Sequence, residues 1–311
     1  MMRLLVTSKQ TGHRIWGRDL ATAYFQTRPG IMTYGPGLPR YENTKAGRSL
    51  TGILERFPSD ALLIYNWYPR ELKAIDIPTL GVIVDAYPGF GDSAIREIWE
   101  NRRLPDLFLC QSRAVMPFAK AILPSVPQVL WPYAVDADVY KPMPERDIDV
   151  AACFNVNPKC YPLRATIKEM LAAHPEWITE AGKMEFCQHA QTLGRSKITI
   201  NSGNHWQALN WRIFEAMCAG SLLMTDRVVS LPELGYLPGE HYVKFSTVAD
   251  LERKIKYYLA RPDERKEIAD AGSIRATIRD SLRPRTDDLM AICRDLLDRG
   301  ADYASRDRGC T

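Results

Sequence analysis

The sequence predicts an α/β protein made of two domains, each a parallel sheet covered by helices. Three observations predict it. Short β-branched or apolar runs alternate with helical stretches in both halves. The 311 residues exceed what one compact core usually holds. The alternation stops once, at DADVYKPMPERD (136–147), where acidic residues and prolines replace apolar periodicity before a new strand begins.

In the first half the expected strands are RLLVTS (3–8), ALLIYNW (61–67), TLGVIVDAY (79–87), DLFLCQS (106–112) and QVLWPYA (128–134). Helices are expected at 15–26, 46–57, 92–103 and 113–122, the last with Ser112 as its N-cap. The second half restarts with IDVAACFN (148–155), a helix over 162–173, the strand KITINSG (197–203), a helix across 209–219 and the strand SLLMTD (221–226). Two helices follow, broken at Arg261-Pro262 because proline forfeits a helix hydrogen bond. In 285–300, Leu289, Ile292, Cys293, Leu296 and Leu297 recur at helical spacing and give one apolar face. The expected domains are 1–140, 141–284 and a C-terminal helix, 285–311, packing back toward the first.

Composition narrows the function classes. Hydrophobic residues make up 46% and charged residues 25%, which excludes a disordered or collagen-like chain. The net charge of +4 is uneven, since residues 1–73 carry 11 Lys/Arg against 5 Asp/Glu. That excess is either a solvated basic face or a surface for an anionic partner such as DNA. Seven cysteines without a C-x-x-C pair suggest neither a disulfide framework nor zinc. With no apolar run near the ~20 residues of a membrane helix, a cytoplasmic location is expected. The absence of G-x-G-x-x-G after the first strand argues against a dehydrogenase.

The stretch ITINSGNHWQALNWRIFEAMCAGSLLMTD (198–226) carries most of the chemical information. Arg212 and Glu215 are three apart on one helix and share a face. Ala216, Cys218 and Ala219 let that helix lie close to a sheet, and Gly220 supplies its stop. Ser202, Gly203 and Asn204 form a small-residue loop, which is either a plain turn or a place where backbone N–H groups meet a phosphate. His174, His189 and His241 have no evident partner, and His205 lacks neighbours at zinc-ligand spacing.

The run R-x-F-E-A-M-x-A-G-S-L-L-M-T-D, with DIDVAACFNVNPKCYPLR before it and LPELGYLPGEHYVKFSTVADLERKIKYYLARPDERKEIADAG after it, resembles the spore-maturation CgeB-like group of glycosyltransferases and the group 1 glycosyl transferases. The resemblance implies a GT-B architecture: two facing Rossmann-like domains, the nucleotide donor in the second and the acceptor against the first. It implies a metal-independent hexosyl transfer, with no cofactor beyond a UDP- or GDP-linked sugar and with a carbohydrate or other hydroxylated acceptor. Glu215 resembles the glutamate that accepts from both ribose hydroxyls. Relatives place a second glutamate eight residues earlier, where this chain has Gln207, an amide that binds hydroxyls without charge.

A departing diphosphate gains negative charge, so cationic donors are needed beside it. Arg212, Arg164 and Lys159 are the candidates, and Trp206 is a candidate cover for the base. Asp85 ends a strand where α/β sheets bind ligands, and is either a helix-capping carboxylate or the group that contacts or deprotonates the acceptor. It resembles the first residue of the family's aspartate-x-histidine pattern. His13, in the loop after the first strand, is either a surface residue or a ligand for acceptor or phosphate, and Asn66, Trp67 and Tyr68 are candidates for stacking on a sugar or base. Two further readings stay open: transfer to a modified base in DNA, and a catalytically silent nucleotide- or sugar-binding protein.

Overall fold

In the computed structural model the described residues are 2–7, 28–35, 49–65, 69–83, 103–157, 161–203 and 205–306. The chain forms two compact units. One comprises Met1–Gln111, Val115–Trp131 and Arg285–Thr311, and the other Ser112–Ala114 and Pro132–Pro284.

The first unit is built on a six-stranded sheet of β1 (Leu4–Thr7), β2 (Ile31–Tyr34), β3 (Ala61–Ile64), β4 (Thr79–Ile83), β5 (Leu107–Cys110) and β6 (Gln128–Leu130). The order is β2-β1-β3-β4-β5-β6 and every pairing is parallel. All residues of β1, β3 and β4 are buried, which is why these strands read as unbroken apolar runs. The edge strand β2, IMTY, is only half-buried over three of its four residues. Helix α1 (Leu50–Arg56) starts at Ser49, whose side chain accepts from the Gly52 N–H. The expected cap Ser112 leads into a 3-10 turn, Arg113–Val115, and α2 (Met116–Ile122) follows it. The Ser112 hydroxyl accepts from the N–H groups of Ala114 and Leu209.

The second unit carries β7 (Ile148–Ala152), α3 (Pro162–Ala172), β8 (Thr179–Ala181), α4 (Phe186–Arg195), β9 (Ser196–Asn201), α5 (Trp211–Cys218), β10 (Leu222–Thr225), β11 (Val243–Lys244), α6 (Val248–Leu259) and α7 (Pro262–Arg279). Its parallel sheet runs β11-β10-β9-β7-β8. From β7 the order grows to one side through β8 and to the other through β9, so the direction of strand addition reverses between β7 and β9. In sheets of this kind the crevice at the carboxyl ends of those two strands is the ligand position. Val150, Ile167, Ile198, Ile200, Leu222, Met224, Phe245, Leu251 and Ile255 make the core beneath it.

Local chemistry explains the boundaries. Pro162 and Pro262 open α3 and α7, where a missing N–H costs nothing. The Thr247 hydroxyl caps α6 by accepting from the Asp250 N–H. Helix α5 ends in a Schellman motif: Ser221 N–H donates to Ala216 C=O and Gly220 N–H to Met217 C=O, with Gly220 at φ 67°. The last helix, α8 (Leu282–Arg306), starts in the second unit and continues in the first. Leu289 and Cys293 on its apolar face are fully buried, and the Trp131 indole N–H donates to the Arg285 carbonyl at 3.2 Å. Among the described residues no helix is long and apolar enough to cross a membrane.

Candidate functional site

The site grows from the first turns of α5. Because β7 and β9 are adjacent, the residues that follow them, Cys153 and Asn201 onward, lie side by side at the reversal point. Arg212 joins the two ends: its Nε donates to the Cys153 carbonyl at 2.8 Å and its Nη1 to the Asn201 side-chain oxygen at 3.2 Å. Those bonds use two of the five N–H donors of a guanidinium. Burial pulls the Arg212 pKa below its usual range, and the negative charge of Glu215 opposes that pull.

Glu215, three residues on, is 3% exposed. Burial pushes its carboxyl up to about 7, against the Arg212 charge and a hydrogen bond from the Tyr140 hydroxyl. Among the described residues its Oε2 has no hydrogen-bond partner. A buried carboxylate oxygen left open costs energy unless something meets it. Tyr140 and His189 stand beside it, with Tyr140 Oη 3.3 Å from His189 Nδ1 and that nitrogen 3.9 Å from Glu215 Oε2. Burial and the Arg212 charge push the His189 imidazole down to about 4, so it is neutral at pH 7.

A second guanidinium lies nearby. Arg164, from α3, is buried and donates from Nε and Nη2 to the Ser202 carbonyl and from Nη1 to that of Asn155, at 2.8–3.2 Å. Its carbon is 3.4 Å from the Tyr161 ring centroid. Three of its donors thus strap the loops after β7 and β9 together. Burial first, and the charge of Arg212 second, lower it to about 10. Both guanidiniums face the Phe154 ring, at 5.0 and 5.6 Å, so positive charge is concentrated at this end of the sheet.

The loop after β9 is braced by a residue the sequence did not single out. Asp226, just past β10, accepts from the Gly203 N–H at 3.0 Å and from the Ser202 hydroxyl at 3.2 Å. Burial raises its pKa and these bonds oppose the rise. The Gly203 N–H, read from the sequence as part of either a plain turn or a phosphate contact, donates to a carboxylate here. Gln207 stands at φ 57°, the only non-glycine residue with positive φ among those described, and its carbonyl accepts from the Val229 N–H at 3.1 Å. Trp206 is half-buried and meets His205 edge to face with ring centroids 6.2 Å apart.

The structure brings Arg212, Glu215, Arg164, Ser202 and Gly203 together at one end of one sheet. His13, Asn66, Trp67, Tyr68, Asp85, Lys159 and Asn204 lie outside the described residues. Tyr140, His189 and Asp226 were missed because each lies far in sequence from its partner. The two other histidines have structural partners: His174 pairs with Glu176 and Glu252 and stacks on Trp177, and His241 accepts from the Leu237 N–H. Among the described residues no group of three or more His, Cys, Asp or Glu is arranged to hold a metal ion.

With this geometry established, comparison with known proteins gives three results. Residues 164–291 match the family described as glycosyl transferase-like. No curated protein sequence matches the chain. Among solved structures, sucrose-phosphate synthase from Thermosynechococcus elongatus is similar at a TM-score of 0.62 and 10% identity, covering 96% of this chain and 100% of its own. HepE from Anabaena, in complex with UDP-glucose, is similar at 0.63 and 13%, covering 95% and 100%. A glycosyltransferase from Rickettsia africae ESF-5 follows at 0.59 and 13%, covering 95% and 98%. At these identities the likeness is one of fold.

Proposed function

We propose, from the GT-B fold of this chain and the match of residues 164–291 to the glycosyl transferase-like family, that it transfers a sugar from a nucleoside diphosphate sugar to a hydroxyl acceptor. One observation carries the reading: the open Oε2 of buried Glu215, beside Arg212, at the β7/β9 reversal point. A carboxylate there accepts from the two ribose hydroxyls as paired, charge-assisted hydrogen bonds. The UDP-glucose bound by HepE, a protein of like fold, favours a uridine donor over a guanosine one.

Bond breaking at the sugar leaves both electrons on the diphosphate oxygen, and the growing charge needs positive partners already in place. Arg212 is the first choice because its hydrogen bonds to Cys153 and Asn201 occupy two of its five N–H donors, and the other three suit phosphate oxygens. Arg164 contributes field more than contact, since three of its donors hold carbonyls. Lys159 and Asn204 complete the donor side, Trp206 covers the base, and Gln207 reads sugar hydroxyls. Asp85 takes the acceptor proton and His13 orients acceptor or phosphate. With guanidiniums in the role a cation would fill, transfer needs no metal and survives EDTA.

A thermal-shift and turnover series tests this reading. UDP, GDP and their hexose conjugates are screened against the protein and its Glu215→Ala variant. A ligand at 100 times its Kd stabilises by about 2.7 kcal/mol, and the variant should lose both that shift and donor hydrolysis. If no nucleotide shifts the wild type, the donor site is wrongly assigned. Nucleotide binding with no hydrolysis or transfer would leave a binding protein.

A further inference from the structure

Glu215 does not stand alone in its pocket of protein. The groups facing it come from four places: Arg212 and Cys218 on its own helix, Tyr140 ahead of β7, Cys153 just after β7, and His189 on α4. Tyr140 is 3% exposed and the His189 side chain 12%. Their rings meet edge to face, with centroids 5.8 Å apart at 76°. Neither residue belongs to the apolar cluster beneath the sheet, and their polar atoms meet beside the carboxylate.

The hydrogen atoms in this group follow from which arrangement satisfies more of the buried polar atoms. Tyr140 has one hydroxyl proton and is within reach of two acceptors, the imidazole Nδ1 and the carboxylate. If Nδ1 accepts that proton, the buried carboxylate receives nothing from either neighbour. If Nδ1 carries the imidazole proton, it donates to Tyr140 Oη, and the hydroxyl donates to Glu215. The second arrangement satisfies one more buried group and is the favoured one.

We infer that Tyr140 and His189 are positioning residues for the ribose carboxylate: His189 Nδ1–H donates to Tyr140 Oη, Tyr140 O–H donates to Glu215, and the carboxylate is thereby turned so that Oε2 faces the ligand's hydroxyls. This rests on the donor-site reading of Glu215 and adds what aims it. A carboxylate fixed in rotation accepts from a vicinal diol better than one free to turn, because the ordering is done before the ligand arrives. The pair therefore sets the preference for a ribonucleotide over its 2′-deoxy counterpart, and leaves the phosphate and base contacts alone.

The test is calorimetric titration with UDP and GDP and with the 2′-deoxy form of each, against wild type, Tyr140→Phe, His189→Leu, His189→Asn and Glu215→Gln. The wild type should prefer the ribonucleotide by about tenfold or more, and Glu215→Gln should abolish the preference. Tyr140→Phe and His189→Leu should reduce it about tenfold while binding the deoxynucleotide at wild-type strength, which also certifies their fold. His189→Asn, whose amide N–H falls near the Nδ1 position, should restore it. If Tyr140→Phe and His189→Leu keep the wild-type preference, or weaken both nucleotides equally, the positioning role is overturned. If Glu215→Gln binds both forms as the wild type does, or the wild type shows no preference, the reading of Glu215 fails, and this inference with it. Binding of neither nucleotide has the same consequence.

Discussion

Replacing Glu215 by glutamine exchanges a titrating carboxyl for a neutral amide of the same shape, and the surroundings of the site determine how stability then varies with pH. Burial holds Glu215 at about 7, from an ordinary 4.5. The folded protein therefore binds this proton more tightly than the unfolded chain. Its contribution is fully present below about pH 4.5 and is lost as pH rises through about 7. His189 acts in the opposite sense. Burial and the Arg212 charge hold it at about 4, from 6.5, so the unfolded chain binds the extra proton and stability rises from pH 4 to 6.5. At about 1.4 kcal/mol per pKa unit, each shift is worth about 3 kcal/mol.

In the wild type the two slopes nearly cancel below pH 6.5. Glu215→Gln removes the falling one and uncovers the rise from His189. Urea unfolding is followed from pH 4.5 to 7.5, using the transition of the unit containing residues 132–284. The stability of the variant minus that of the wild type should grow by about 3 kcal/mol in the variant's favour across that range. Taking the difference cancels the other titrating groups. A difference that stays constant would show that the carboxyl is not raised. One that moves toward the wild type would show it is held ionised by Arg212.

Three more outcomes follow from the same contacts. Affinity for UDP-glucose should rise with pH toward a plateau above 7, about 100-fold between pH 5 and 8, because in the proposed donor site only an ionised Glu215 would accept from both hydroxyls. Titration calorimetry reads this, and Glu215→Gln should be flat. Arg212→Gln removes the positive neighbour of Glu215 and the link from Cys153 to Asn201. It should cost about 3 kcal/mol in urea unfolding and move the midpoint of the binding profile to higher pH. Gly272→Ala on α7 places a Cβ 2.4 Å from the His241 carbonyl oxygen, a backbone atom that cannot swing away. A loss of about 1–3 kcal/mol is expected, with nucleotide affinity unchanged.

How much of this was legible in the sequence depended on distance along the chain. Strands buried on both faces, such as ALLI in β3 and TLGVI in β4, announce themselves as apolar runs. Edge strand β2, half exposed and four residues long, does not. Helix α4, FCQHAQTLGR, was missed for a related reason: it is largely polar, and Glu185 ahead of it makes no side-chain cap. Arg212 and Glu215 were legible because one helix turn joins them. Tyr140 and His189 are 49 residues apart and meet at Glu215 only because α4 packs against α5. Asp226 reaches Gly203 across 23 residues because β10 pairs with β9. These contacts are set by strand order, which no local pattern records.

Gln207 is the one non-glycine residue with positive φ among those described. At φ 57° a residue with a Cβ costs about 1 kcal/mol or more, which glycine would not incur. Among the described residues no hydrogen bond of Gln207 explains the choice, because the bond from Val229 goes to its backbone carbonyl and any residue supplies that. What glycine lacks is the amide, and the position is the one assigned to the donor sugar. Strain kept at such a loop points to a task for the side chain. Gln207→Gly should therefore leave the protein within about 1 kcal/mol of wild type, or more stable, since relieved strain offsets the greater freedom of glycine in the unfolded chain. UDP should bind it as before, while the added affinity of UDP-glucose over UDP should fall about tenfold. If the variant instead loses several kcal/mol, or keeps the UDP-glucose increment intact, the amide serves the fold and not the sugar.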